Sequence, residues 1–96
     1  MGYKLIYAEE ASNDLDGIFE TIKQDNPERA ITFVAEIEKA ISHLARFPLM
    51  GRERSKSNRQ VIHGNYRIVY AVNVKSQTVT VKHVKNCARN EQNYIS

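Results

Sequence analysis

The 96-residue sequence contains guanidinium, imidazole, amine and phenol side chains that could cleave RNA without a metal ion. Such a reaction needs a base that deprotonates the 2′-hydroxyl, an acid that protonates the leaving oxygen, and cations that stabilise the charged transition state. The candidates are Arg67 and Arg89 as cations, Tyr94 or His63 as the acid, and His83 or Lys85 as the base.

The sheet face on which His83 lies decides whether it can act as a base. Strand side chains alternate between two faces, so His83 is expected to share a face with Val79 and Val81. If those valines belong to the core, His83 is a hydrogen-bonded structural residue. Structural interpretations also remain open for Arg67, as a salt-bridge residue, and for Tyr94, as a residue that docks the C-terminal segment.

The three histidines have no acidic or cysteine partner at ligand spacing, so the sequence predicts no metal site. We also expect no cofactor. His43 is expected at the surface of a helix.

Positive charge is concentrated in the second half of the chain. Residues 1–47 contain five basic and nine acidic residues, a net charge of −4, whereas residues 48–96 contain nine basic and two acidic residues, a net charge of +7. A basic half predicts an acidic partner, either nucleic acid or an acidic protein segment. The residues predicted to bind this partner are Arg52, Arg54, Arg59, Arg67, Lys82, Lys85 and Arg89.

Hydrophobic spacing predicts the elements that position these residues. Apolar residues at intervals of three and four predict two helices, the second with Asn26 as its N-cap and Pro27 in its first turn. Because the connection between them is short, the helices should form an antiparallel hairpin. The predicted order is β-α-α-β-β-β, with a strand at 4–7, helices at 9–24 and 27–47, and strands at 59–63, 66–74 and 78–85.

The predicted fold class is α+β, an antiparallel sheet with the helical hairpin packed on one face. The last three strands form a meander, and strand 4–7 joins one edge. Alternation places Ile68, Tyr70 and Val72 on the face that the helices cover. The opposite face, which carries Arg67, is left for solvent or a partner.

Length and composition indicate one domain that spans residues 1–96. The lone Cys87 cannot form an internal disulfide, no apolar run approaches the roughly 20 residues of a membrane span, and the N-terminus lacks a signal pattern. We therefore expect a cytoplasmic protein without membrane contact.

Four groups of residues occur together and in this order along the chain. They are Ala11, Asp14-Leu15 and Ile18; Asp25-Asn26-Pro27, Ala30 and Phe33; Leu44, Phe47-Pro48 and Gly51-Arg52; and Gly64-Asn65-Tyr66-Arg67-Ile68-Val69-Tyr70. With these motifs the chain resembles the ParE/RelE superfamily of toxins from bacterial type II toxin–antitoxin systems. The resemblance implies a toxin that inhibits bacterial growth, stabilises plasmids, and forms a hetero-oligomer with its antitoxin.

The resemblance favours the ParE-like branch, whose members are described as DNA gyrase inhibitors without established nuclease chemistry. The helical hairpin and its exit are ParE-like, and residues 86–90, Asn-Cys-Ala-Arg-Asn, are similar to the ParE pattern His-Gly-Ala-Arg-Asp, from which they depart at three of five positions. RelE-like sites crowd several lysines and arginines, whereas Arg89 is the only cation after Lys85.

The resemblance therefore implies a gyrase inhibitor without catalytic residues, neutralised by a ParD-like antitoxin. The alternative is a ribosome-dependent mRNA endonuclease of the RelE kind, which is the enzyme interpretation and would use the catalytic candidates above. A third possibility is a nucleic-acid-binding module of the same fold.

Overall fold

The predicted helical hairpin and strand meander are both present in the computed structural model, which describes residues 2–87. The α+β fold is thereby confirmed. The elements of the described residues are β1 (Lys4–Tyr7), α1 (Glu9–Lys23), α2 (Pro27–Arg46), β2 (Arg52–Glu53), β3 (Asn58–His63), β4 (Tyr66–Asn73) and β5 (Thr78–Asn86).

Both helices begin where their sequences favour a helix start. Glu9 and Glu10 occupy the first turn of α1, where carboxylates interact favourably with the positive end of the helix dipole. In α2, the Asn26 side chain accepts a 3.0 Å hydrogen bond from the backbone N–H of Arg29, which confirms the predicted N-cap. Neither helix of the described chain combines the length and apolar character needed to span a membrane.

The strands of the described residues form one five-stranded sheet in the order β1-β5-β4-β3-β2. β3, β4 and β5 form the predicted antiparallel meander. β1 joins the edge parallel to β5, so the sheet is mixed and not wholly antiparallel as predicted. β2 pairs antiparallel with β3 in a segment where the sequence predicted no helix or strand, because two residues are too few for a detectable alternation.

The two helices cover one face of the sheet, called here the covered face, and leave the other, the open face. Buried residues of α1 and α2 pack against buried residues of β4 and β5, and a smaller cluster continues the core toward the end of α2. The first cluster contains Ala11, Leu15, Ile18, Ile37, Ile41, Ile68, Val81 and Val84, and the second contains Leu44, Tyr70 and Val79.

A β-bulge changes which side chains of β5 face the helices. Val69 pairs with His83 and the next residue, Tyr70, pairs with Val81, so Lys82 is an extra residue in β5. The prediction that His83 shares a face with Val79 and Val81 is therefore wrong. The valines lie on the covered face, and the bulge moves His83 to the open face.

Candidate partner-binding face

Strand register arranges polar and cationic side chains in two rows across the open face. Residues directly opposite each other on paired strands project from the same face, so the pairing defines the rows. The first row contains Arg52, Gln60, Val69 and His83, and the second contains Ile62, Arg67 and Lys85.

The first row has a basic end and an apolar centre. Arg52 and Arg54 are exposed, and Arg54 Nη1 donates a 2.9 Å hydrogen bond to Gln60 Oε1. Val69, between Gln60 and His83, is only 1% exposed. An acidic partner would therefore meet two arginines beside a closely packed strand centre.

Arg67 lies at the middle of the second row and is half-buried. Its Nε is buried and has no hydrogen-bond partner within residues 2–87. A buried donor without a partner costs free energy, and the described residues leave this Nε unsatisfied. Arg67 takes part in none of the ion pairs of the described residues, so the structure does not support its interpretation as a salt-bridge residue.

His83 is half-buried on the open face, diagonally across from Arg67, and its Nδ1 is buried without a hydrogen-bond partner in the described chain. Burial lowers the pKa of His83 below its ordinary 6.5, an effect that the nearby Glu10 carboxylate opposes. The ring is therefore neutral near pH 7 and can accept a proton. His83 therefore remains a candidate base, although unbroken strand alternation would have placed it on the covered face.

Lys85 reaches around the sheet edge to α1 instead of standing free on the open face. Its Nζ lies 2.9 Å from Asp14 Oδ1 and 3.0 Å from Glu10 Oε2. The hydrogen bonds that Lys85 donates to Asp14 and then to Glu10 raise the pKa of Lys85, so it remains protonated and is unsuited to act as a base. The same two carboxylates also compensate the charge of Lys85 in the free protein.

His63 lies on the covered side of β3, away from Arg67. Its Nε2 is 3.3 Å from Glu36 Oε1, and its ring centroid is 5.8 Å from that of Phe33. Both partners belong to α2. The structure therefore does not bring the candidate acid His63 together with the candidate cation Arg67.

Arg59, predicted to bind a partner, is used within the fold. It donates to the carbonyl oxygens of Gly51 at 2.8 Å and Leu49 at 3.3 Å, and so holds the segment that follows α2. Lys82, the bulge residue, is exposed. The remaining candidates, Arg89 and Tyr94, lie outside the described residues.

Two positioning residues were absent from the sequence-based candidates. Asp14 accepts a 2.9 Å hydrogen bond from the backbone N–H of Val84 in addition to its contact with Lys85. Gln60 orients Arg54. Asp14 occurs in one of the motifs that carry the family resemblance, whereas nothing in the local sequence distinguishes Gln60.

Within residues 2–87, no three histidine, cysteine, aspartate or glutamate residues are placed to hold a metal ion.

Comparison with known families gives one match over most of the chain. The family described as "ParE toxin of type II toxin-antitoxin system, parDE" matches residues 5–91. No curated protein sequence matches the chain significantly.

Solved structures with a similar fold include toxin chains from complexes with antitoxins and toxin chains solved alone. A chain of the chromosomal ParDE system of P. aeruginosa is 18% identical with a TM-score of 0.75, over 88% of this chain and 95% of that one. A chain of the M. tuberculosis RelBE2 complex is 22% identical with a TM-score of 0.66, over 90% and 99%. A chain of the intact E. coli RelBE complex is 18% identical with a TM-score of 0.64, over 88% and 95%.

Proposed function

Because the chain belongs to the ParE family of toxins from type II toxin–antitoxin systems, we propose that it inhibits DNA gyrase by protein–protein contact. The observation that supports inhibition without catalysis is the separation of the candidate acid His63 from the candidate cation Arg67. His63 contacts α2 on the covered side, whereas Arg67 lies on the open face. Lys85 is held by two carboxylates.

We further propose that a ParD-like antitoxin neutralises the toxin in a hetero-oligomer. The acidic C-terminal segment of such an antitoxin would lie along the helical hairpin and the open face, and would fold as it binds. The exposed Arg52 and Arg54 and the half-buried Arg67 supply the complementary positive charge. Gyrase and antitoxin would meet the toxin in the cytoplasm.

A supercoiling assay tests the gyrase proposal. Purified toxin should block supercoiling by gyrase and leave mRNA intact on translating ribosomes. Arg67→Ala should weaken inhibition at least about tenfold, the loss expected for one charged hydrogen-bond donor. Lys75→Ala removes one cation from the hairpin loop instead and should retain inhibition.

A second candidate function rests on Arg67 and His83, because they lie diagonally opposite each other on the open face. In this alternative the neutral imidazole deprotonates a ribose 2′-hydroxyl, and the oxygen attacks the adjacent phosphate while Arg67 stabilises the developing charge. The bond to the 5′-oxygen breaks, and an acid, for which Tyr94 is the candidate, protonates that leaving oxygen. The protein would then be a ribosome-dependent, metal-independent endoribonuclease. Toe-printing that reveals cuts in ribosome-bound mRNA, lost in His83→Gln, would replace gyrase inhibition with this function.

A further inference from the structure

A cleft of about 410 Å³ opens within the helix layer, between α1, α2 and the end of β1. This volume is in the range of ligand-binding sites, roughly 300–1,000 Å³. The cleft combines apolar residues from both helices, two aromatic rings and two carboxylates. The residues that matter for binding are Tyr7, Leu15, Asp16, Phe19, Val34 and Glu38.

The two carboxylates of this hairpin cleft have no cationic partner. Neither Asp16 nor Glu38 takes part in an ion pair within residues 2–87, and no lysine or arginine lines the cleft. By contrast, the α2 residue Glu36 is paired with Arg29 at 2.9 Å. The hairpin cleft is therefore a local concentration of uncompensated negative charge.

The aromatic walls lie close to this charge. Burial and then the Glu38 carboxylate raise the pKa of the Tyr7 phenol, which indicates that the carboxylate lies near the ring. On α1, Lys23 Nζ lies 5.9 Å from the Phe19 ring centroid, so that ring can receive a cation. Aromatic faces attract cations within about 6 Å.

We propose that the hairpin cleft binds an arginine side chain presented by a basic peptide segment of a protein partner. A guanidinium is planar, stacks on aromatic rings, and offers five donors that can bridge two carboxylates, whereas an ammonium group offers a compact point charge. The hairpin cleft attracts cationic groups, whereas the open face attracts anionic groups. The partner proposed for the cleft is therefore a basic segment, in contrast to the acidic antitoxin segment proposed above.

A peptide titration followed by backbone amide NMR tests the proposal. The probe is a short alanine-based peptide with two arginines, and its analogue with citrulline is the neutral, nearly isosteric control. The arginine peptide should shift the amides of Asp16, Phe19 and Glu38, whereas the citrulline peptide should not. In the double variant Asp16→Asn/Glu38→Gln, the affinity should fall at least tenfold.

The matched control is Asp25→Asn/Glu53→Gln, which removes the same charge from exposed residues outside the cleft. It should change the affinity less than twofold. Equal weakening by both double variants, equal binding of the citrulline peptide, or amide shifts confined to another surface would overturn the proposal. Shifts of the cleft amides on concentrating the toxin alone would instead identify a second copy as the occupant and would also overturn it.

Discussion

A single phenol hydroxyl joins the core to the segment that follows α2. Tyr70 is fully buried, and its hydroxyl accepts a 2.8 Å hydrogen bond from the Gly51 N–H and donates a 2.9 Å bond to the Pro48 carbonyl. A Cβ at residue 51 would collide with the Tyr70 side chain. The contact therefore explains both a buried tyrosine and a glycine beside the basic loop.

Removal of this hydroxyl should destabilise the protein. Tyr70→Phe leaves the Gly51 N–H and the Pro48 carbonyl without their partner, and we expect a loss of about 1–3 kcal/mol in the free energy of unfolding. Urea denaturation followed by circular dichroism measures it. Tyr3→Phe is the control, because the Tyr3 hydroxyl makes no hydrogen bond within the described residues. Equal stabilities of the two variants would contradict this explanation.

The lowered pKa of His83 gives stability a defined pH dependence. Below its ordinary pKa of 6.5 the unfolded chain binds this proton, whereas the folded protein resists it because the ring is partly buried. The contribution of His83 is therefore present above the unfolded pKa and is lost as the pH falls toward the folded pKa.

Denaturation curves between about pH 7.5 and 5.5 check this sign. The wild type should lose more stability than His83→Gln as the pH is lowered through this interval. Parallel pH profiles would show that the ring is freely protonated in the folded state.

At the scale of the elements, α1 protects a sheet edge that β1 leaves uncovered. β1 pairs with β5 only from Thr78 to Val81. Beyond that point, Asp14 accepts the Val84 N–H and binds Lys85, and its side chain is only 14% exposed. One carboxylate therefore satisfies an edge donor that could otherwise pair with another strand.

Asp14→Ala should thus cost about 1.5–3 kcal/mol of folding free energy, the range for hydrogen bonds to a charged group. Asp16→Ala, two residues away and without a hydrogen bond or ion pair in the described chain, should change stability by less than about 0.5 kcal/mol. Chemical denaturation compares the two variants, and similar losses would remove the special role assigned to Asp14.

Gly17 is a second feature of α1 with a measurable effect. A Cβ at this position would meet nothing within 4 Å outside the backbone of its own helix, so packing does not require glycine there. Gly17→Ala should increase stability by about 0.5–1 kcal/mol through helix propensity. Gly64→Ala should have the opposite effect, because Gly64 has a φ of +60°. Thermal unfolding of both variants measures whether each substitution raises or lowers the stability.

The helices and strands also show which features of the fold could be predicted from the sequence. The helices and the Asn26 cap were predictable because they depend on local spacing and capping chemistry. The bulge was missed because alternation was extended unbroken through β5, although the three-residue step from Val81 to Val84 is a signal that it is interrupted. The contacts of Asp14 with β5 join residues about 70 positions apart and depend on tertiary packing, which no local pattern encodes.

At the scale of the whole molecule, the uneven distribution of charge becomes a spatial separation. The acidic half of the chain contains the two helices, and the basic half contains strands β2 to β5. The open face and the hairpin cleft consequently favour partners of opposite charge. Long-range electrostatic attraction between each surface and a partner of opposite charge accelerates association, and it weakens as salt screens the charges.

The affinity for the proposed acidic antitoxin segment should therefore fall as ionic strength rises. Isothermal titration calorimetry between about 0.05 and 0.5 M NaCl should reveal this decrease, and Arg52→Ala/Arg54→Ala should flatten the slope. The exposed residues Lys56 and Lys75 lie outside both the open-face rows and the helical hairpin, so their double alanine variant should leave the slope nearly unchanged. Salt-independent affinity would indicate that apolar contacts dominate the interface.

The parallel pairing of β1 with β5 also bears on how the protein is made. Lys4 pairs with Thr78, so β1 cannot join the sheet of a nascent chain until β5 has been synthesised. Helical hairpins can form early from local contacts, whereas this sheet closes late. A ribosome that stops before Thr78 releases a product in which neither Leu5 nor Tyr7 can join the sheet. Interrupted translation therefore yields polypeptide without the native sheet, and the cell is exposed to a folded toxin only after β5 is complete.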